Sequence, residues 1–368
     1  MDTSDTGIAF DEEGVCSHCA RFESLCRPNW FPNDEGRRRL EATVQQIKQE
    51  GIGKDYDCII GLSGGVDSSW LAVKVKEFGL RPLVVHVDAG WNSALAVQNI
   101  QNLVEKLGFD LHTIVIDWEE MRDLQVAFLR SGVANQDVPQ DHAFFAGLYA
   151  YAKKAGIRWV LSGGNYATEG ILPQSWGYNA MDIRHLKGIH RQFGKQPLRT
   201  FPTVSFFDLY IGYPLLRGMK VLRPLDFMPY TKAAAMADLT ANYGWRYYGG
   251  KHYESVWTKF FQGHWLPTRF GFDKRKAHLA SLVVTGEITR DAALAELDKP
   301  AYPAEDLRRD LVYVAKKLGL SPAELDALHA APLRTYQDYP NSETRLQFLR
   351  GIFRALPLKR VLRKLNRF

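Results

Sequence analysis

Short apolar runs alternate with longer segments of helical period between residues 57 and 225, and this alternation organises the chain. Residues 58–62 form a run of strand length; Val66, Trp70, Leu71, Val75 and Phe78 then share one helical face until Gly79. Residues 81–88 read as a second strand. Leu95, Ile100, Leu103, Val104 and Leu107 mark a helix closed by Gly108, followed by a strand at 111–117, a helix at 141–154, and strands at 158–161 and 219–225. Strands separated by helices run parallel, because a crossover of helical length returns the chain to the same end of the sheet. The expected fold is α/β: a doubly wound parallel five-stranded sheet. Its ligand should lie where the loops after Leu62, Val87 and Leu161 converge at the carboxyl ends of strands.

Outside the alternating region the pattern changes. Residues 41–48 look like a short helix, leading through Gly-Ile-Gly-Lys-Asp-Tyr at 51–56 into the first strand. Beyond the sheet, 231–243, 254–262 and 274–284 are amphipathic stretches among many aromatics, and Ser321-Pro-Ala-Glu324 is a capping box with proline in the first turn. The expected division is a cysteine-containing lobe at 1–52, an α/β domain at 53–248 and a helical C-terminal region at 249–368.

Of 368 residues, 46% are apolar and 24% charged, the proportions of a globular protein with room for a large core. The net charge is +6, yet residues 344–368 alone hold eight Lys or Arg and no Asp or Glu. The rest of the chain is close to neutral, so generic binding of nucleic acid is not indicated. That tail also carries Leu346, Phe348, Leu349, Ile352 and Phe353. It suits an anionic membrane surface or an acidic partner, with packing against the body, its cations in water, as the alternative. The start is polar and acidic and no run approaches the length of a membrane span, so a cytoplasmic location is expected. Three of the four cysteines fall within 16–26, which is no disulfide framework for a chain this long. Cys16 and Cys19 form a C-x-x-C, half of a tetrahedral structural Zn²⁺ site; two unrelated buried cysteines is the alternative.

The sharpest chemistry lies in Ser-Gly-Gly-Val-Asp-Ser-Ser at 63–69, between a strand and a helix. Gly64 and Gly65 allow a tight turn and close approach, the helix start offers unpaired N–H groups, and Ser63, Ser68 and Ser69 add hydroxyls. Phosphate fits. The lysine of a triphosphate-cradling Walker loop is absent. The motif instead resembles the pyrophosphate-binding loop of ATP pyrophosphatases (PP-loop, HUP-like fold), the superfamily of GMP synthetase, NAD synthetase and argininosuccinate synthetase, which split ATP between its α and β phosphates. That resemblance implies that Ser63, Gly64, Gly65, Asp67, Ser68 and Ser69 wrap the pyrophosphate, with Asp67 a candidate for Mg²⁺. It implies adenine and ribose beside His86, Val87 and Asp88, and an α phosphate near Gly163, Gly164 and Asn165. A hydrogen-bonded core residue is the competing reading of His86.

Further motifs narrow the likeness: Gly-Val-Cys-Ser-His-Cys at 14–19, His-Val-Asp-Ala-Gly-Trp-Asn at 86–92, Pro-Gln-Asp-His at 139–142, Gly-Gly-Asn-Tyr-Ala-Thr-Glu at 163–169, Lys-His-Tyr-Glu-Ser at 251–255 and Phe-Gly-Phe-Asp-Lys-Arg at 270–275. With them the chain resembles the N-acetyl sugar amidotransferases of surface-polysaccharide (LPS, O-antigen) pathways, the WbpG type. The resemblance implies an ATP-dependent C–N ligase that converts a UDP-linked 2,3-diacetamido uronic acid to its acetamidino form, with ammonia from a HisH-like glutaminase and a HisF-like barrel. Relatives usually carry another C-x-x-C before Met-Asp-Thr, absent here, and an arginine where this chain has Val256.

A uronic acid diphosphate calls for cations of fixed geometry, and Lys251, His252, Arg269, Lys274 and Arg275 are the candidates, with plain surface charge as the alternative. Lys232, just beyond the fifth strand, is the candidate to stabilise charge on departing pyrophosphate; solvent exposure is its alternative. Two rivals remain: a PP-loop tRNA-modifying enzyme, which in its thiolating form would want a cysteine beyond Cys58, and a non-catalytic nucleotide-binding protein, which would not need Asp67.

Overall fold

A computed structural model describes residues 1–250 and 253–355. Five strands, β1 (Cys58–Gly61), β2 (Pro82–Asp88), β3 (Leu111–Val115), β4 (Trp159–Leu161) and β5 (Lys220–Leu222), form one parallel sheet in the order β3-β2-β1-β4-β5. The chain winds outward from β1 to β3, then returns to the other side of β1 as β4 and β5. The loops after β1 and β4 therefore part at the switch in winding direction, where a crevice opens.

The helices that matter for the site are α1 (Asp34–Glu50), α2 (Val66–Glu77), α3 (Ala94–Leu107), α4 (Trp118–Ser131), α5 (Val138–Lys154), α6 (Lys232–Tyr243), α7 (Lys274–Val284), α8 (Ala304–Leu318) and α9 (Glu343–Ala355). They cover both faces of the sheet, which is why the central strands read as continuous apolar runs rather than alternating ones. Ile59, Leu83, Val85, Val87 and Val160 face one core with α4, α5 and α8; Cys58, Ile60, Leu62, Val84, Leu161 and Leu222 face the other with α1, α2, α3 and α6. Each such side chain, fully buried, stabilises the fold by roughly 1.5–3 kcal/mol.

Both flanking segments share these cores. Leu40, Val44 and Ile47 of α1 pack beneath β1 and β5, and Trp257, Phe260 and Trp265 join the core under α4 and α5. The helix expected at 41–48 is twice that length, started by Asn33, whose side chain accepts from the Gly36 N–H. The stretch expected as one helix at 254–262 runs as Val256–Phe260 and then widens to a five-residue-per-bond turn through Phe261–Trp265. The capping box at Ser321 is formed. Glu120 of α4 and Asp182 fasten distant loops. The Glu120 carboxylate accepts from the N–H groups of Arg199, Thr200 and Phe201, and Asp182 accepts from the N–H and hydroxyl of Ser342.

Two buried imidazoles set an acid limit on stability. The His142 Nδ1 faces the Ala180 carbonyl at 2.8 Å, and its Nε2 accepts from the Val204 N–H at 3.3 Å. Burial pushes His142 and His185 down to about 4 each. Between pH 6.5 and 4 the unfolded chain binds protons that the folded chain refuses, so stability falls as pH falls through that window, by at most about 3 kcal/mol for each ring. Urea unfolding across this range should show the loss, and His142→Gln should flatten it. An unchanged pH slope in that variant would remove His142 from the account.

Candidate active site

The loop after β1 is shaped by glycine. Gly64 has φ +81°, and a Cβ there would lie 2.7 Å from the Ala96 carbonyl oxygen, so the turn is wedged against the start of α3. The Trp245 indole N–H donates to the Gly64 carbonyl at 3.1 Å. Gly65 then caps α2 with extended backbone and no side chain of its own to bond the helix start, where the Val66 N–H is taken by the Tyr248 hydroxyl. The Ser63 and Ser68 hydroxyls lie 3.1 Å apart, and the Ser63 N–H donates to Ser68 Oγ at 3.3 Å.

The loop after β4 meets it face to face. A Cβ on Gly163 would lie 3.0 Å from the carbonyl carbon and oxygen of Asp67 and 3.1 Å from the Ser68 nitrogen. Asn165, fully buried, clips the two turns together: its Nδ2 donates to Asp67 Oδ1 at 3.0 Å and to the Gly163 carbonyl at 3.1 Å, while its Oδ1 accepts from the Thr168 N–H. The Tyr230 hydroxyl also donates to Asp67 Oδ1. Burial first, and then the Asp67 charge, push the Tyr230 phenol far up, so it stays a donor. Tyr248, pushed up by burial and by Glu254, accepts from the Val66 N–H at 3.3 Å.

Between the two loops lies a cavity of about 190 Å³ whose walls include Ser63, Asp67, Ser68, Glu169, Lys232 and Glu254. Its size suits phosphate groups rather than a whole nucleotide. Lys232 opens α6, its backbone N–H held by Glu287 at 2.9 Å and its Nζ 5.7 Å from the centre of the Tyr247 ring. N–H groups, hydroxyls and a lysine suit an anion, while the carboxylates beside them suit a hard cation that accompanies it. Close contact between the turns yields a prediction. Gly163→Ala forces backbone against backbone at the α2 start, an overpacking of about 1–3 kcal/mol. It should lower the midpoint of urea unfolding; wild-type stability would show that the turns can separate freely.

The remaining expected residues divide. Gly164 lines the same cavity, its carbonyl accepting from Arg223 Nε at 2.9 Å. Ser69 does not: it is fully buried behind the loop, with its hydroxyl unmatched among the described residues. His86 behaves as the core reading has it, its Nδ1 at 2.8 Å from the Leu62 carbonyl and its Nε2 at 3.0 Å from Asn92 Nδ2, the latter also donating to Asp88 Oδ1. Val87 is buried beneath, whereas Asp88 lines a separate open cavity of about 560 Å³ with Gly90, Trp118, Lys316 and Lys317.

The expected substrate cations are displaced from this place. Arg269 spends its guanidinium on the carbonyls of Leu328, His329 and Pro332, and Arg275 on Asp273 and the carbonyl of Lys299, so both stitch the C-terminal helices together. Lys274 lines a different, larger cavity. Lys251 and His252 lie outside the described residues, as does 356–368 of the basic tail.

Cys16 and Cys19 do converge, Sγ to Sγ 3.4 Å, but Cys26 turns away to the Gly170 carbonyl. Among the described residues no three His, Cys, Asp or Glu side chains form a metal-binding group. His18 is engaged by Asp5, itself bonded to Ser175. Sequence reasoning missed Tyr230 and Tyr248, for which no local signal exists. It also missed Glu169 and Glu254, which stand within the recognised motifs Gly-Gly-Asn-Tyr-Ala-Thr-Glu and Lys-His-Tyr-Glu-Ser.

Parts of the chain are similar to known proteins. Residues 254–352 match the family described as LPS biosynthesis protein WbpG-like, C-terminal domain. An uncharacterised protein of Methanocaldococcus jannaschii is 25% identical over 82% of this chain and 93% of its own length. An NH(3)-dependent NAD(+) synthetase of Mycoplasma genitalium is 35% identical over 45% of this chain and 69% of its own. A GMP synthase of Shewanella baltica is 33% identical over 28% of this chain, but only 19% of that longer protein is covered. Among solved structures, the NH3-dependent NAD synthetase of Campylobacter jejuni overlaps 71% of this chain and 96% of its own at 15% identity, with a TM-score of 0.34.

Proposed function

This chain belongs to the PP-loop ATP pyrophosphatase superfamily, in its WbpG-like branch, and we propose that it spends ATP on making an acetamide carbon reactive toward ammonia. The substrate is a UDP-linked N-acetylated uronic acid, and the product carries an acetamidino group. The observation that carries this reading is one cavity in which Asp67, clipped by Asn165 and Tyr230, faces the glycine turns and Lys232.

An amide carbon is a poor electrophile because nitrogen feeds electrons into the carbonyl. If the amide oxygen attacks the α phosphate of ATP, pyrophosphate departs and an imidoyl-AMP forms. Ammonia then bonds to the imidoyl carbon, the C–O bond breaks, and AMP leaves with that bond's electron pair. The first-turn N–H groups of α2, the Ser63 and Ser68 hydroxyls and Lys232 would hold the charge that moves onto pyrophosphate. Asp67, with Glu169 beside it, would hold Mg²⁺, which supplies further charge neutralisation between phosphates. Asn165 and Tyr230 fix the Asp67 carboxylate, so that reorganisation during the reaction is small. No side-chain nucleophile is needed.

Isotope exchange between pyrophosphate and ATP tests the reading. Exchange and AMP release should depend on the sugar nucleotide and not on tRNA. Activity with unmodified tRNA and none with the sugar would transfer the site to tRNA modification.

A further inference from the structure

A second cavity of about 820 Å³ lies among the start of α5, the loop 172–183 and α9, more than four times the size of the phosphate cavity. Its wall mixes polar and apolar side chains, it falls within the size range of small-molecule sites, and it contains none of the ATP-loop residues. Three cations from three separate stretches reach its wall: Arg21 from the turn that carries the Cys16–Cys19 pair, Lys274 from the start of α7, and Arg350 from α9. Arg350 Nε is buried and has no hydrogen-bond partner among the described residues. A buried guanidinium donor left unmet is costly, and an anion with paired oxygens is its natural complement. Aromatic walls accompany the cations, including Tyr178 and Tyr336, whose rings stack at 4.2 Å and 10°.

Four carboxylates also line the cavity: Asp182 is engaged by the Tyr178 hydroxyl and by Ser342, Glu343 accepts from the Tyr336 hydroxyl, and Asp137 and Asp141 complete the set. Asp137 and Asp141 stand one helical turn apart. Burial first, then the neighbouring Asp137, push the Asp141 carboxyl up to about 8 against the pull of Lys274. The cavity is also tied to the phosphate site: Gln140 Nε2 donates to Asp137 Oδ1 at 3.0 Å, and Gln140 Oε1 accepts from the Ser255 hydroxyl at 3.4 Å. Ser255 follows Glu254, a wall of the phosphate cavity.

We propose that this cavity is the site of the second substrate, an anionic sugar nucleotide whose diphosphate and carboxylate are met by Arg350, Arg21 and Lys274. Its acetamido group then points past Gln140 and Ser255 toward the ATP loop. The assignment rests on the amidation reading above and replaces Arg269 and Arg275 as substrate cations. It also gives the cysteine turn a task, that of holding Arg21 at the cavity mouth.

Calorimetric titration of the full chain with a UDP-linked 2,3-diacetamido uronic acid, alongside UDP and a non-hydrolysable ATP analogue, tests it. Arg350→Ala should weaken the sugar nucleotide and UDP at least about tenfold while the ATP analogue binds within about twofold of wild type. Lys274→Ala provides the same comparison from another element if the first variant is poorly folded by circular dichroism. Wild-type affinity for the sugar in both variants, with AMP still formed, overturns the cavity assignment and leaves the amidation reading standing. A parallel loss of ATP-analogue binding also overturns it, because the sites would then not be separate. No sugar binding and no sugar-dependent AMP from wild-type protein defeats the amidation reading, and this proposal with it.

Discussion

Asp67→Asn is expected to lower sugar-dependent AMP formation by roughly 10²–10³-fold while leaving the protein folded. The carboxylate lines the phosphate cavity, and its Oδ1 already accepts from Asn165 and Tyr230. Asparagine keeps an acceptor for those two donors while it removes the charge and exchanges the other oxygen for an NH₂ group. Alanine is the poorer test, because it would strand the fully buried Asn165 amide and the Tyr230 hydroxyl, at about 1–3 kcal/mol for each unmet group. Turnover retained within about tenfold, equivalent to ~1.4 kcal/mol of transition-state stabilisation, would sink the proposed role of the charge.

Glutamine is expected to fail as nitrogen source for the isolated chain, while ammonium salts succeed. Glutamine hydrolysis needs an activated nucleophile, normally a thiol with a histidine in reach. Burial pushes the Cys58 thiol well up inside β1, and burial followed by Cys16 pushes Cys19 up to about 11. Cys26 is likewise raised by burial, and the nearby His18 is held by Asp5. None of the four lines the phosphate cavity. Glutamine should be used only when a HisH-like glutaminase and a HisF-like barrel, the partners that the family resemblance implies, are added. Below the pKa of ammonium, free ammonia rises about tenfold per pH unit, and the ammonium-driven rate should follow it until other groups titrate. Glutamate formed by this chain alone, with contaminating glutaminase excluded, would overturn that division of labour.

Much of the scaffold is legible in residue order. The strands at 58–62, 81–88 and 158–161 were readable because both faces of a parallel sheet are covered and their side chains are nearly all apolar. The stops were readable because Gly79 and Gly108 adopt positive φ at helix ends. Helices α4 and α8 were not anticipated. Each mixes charged and apolar residues without glycine punctuation inside it, and each acquires its buried face by packing on several other helices.

The strand-turn-helix at 58–77 is legible in the sequence alone, because the features that mark it are local: an apolar run, the glycines of the turn and the periodic apolar face of the helix. Tertiary structure decided the rest. It carried Tyr230, Lys232 and Glu254 from distant positions to Asp67, and it spent Arg269 and Arg275 on backbone carbonyls although they stand in a recognised motif. It also turned Arg350 of a tail read as surface charge toward a cavity. A cation's task depends on which oxygens lie within about 3 Å of it, and for Arg269 those oxygens belong to a segment about sixty residues further along the chain, brought there by packing.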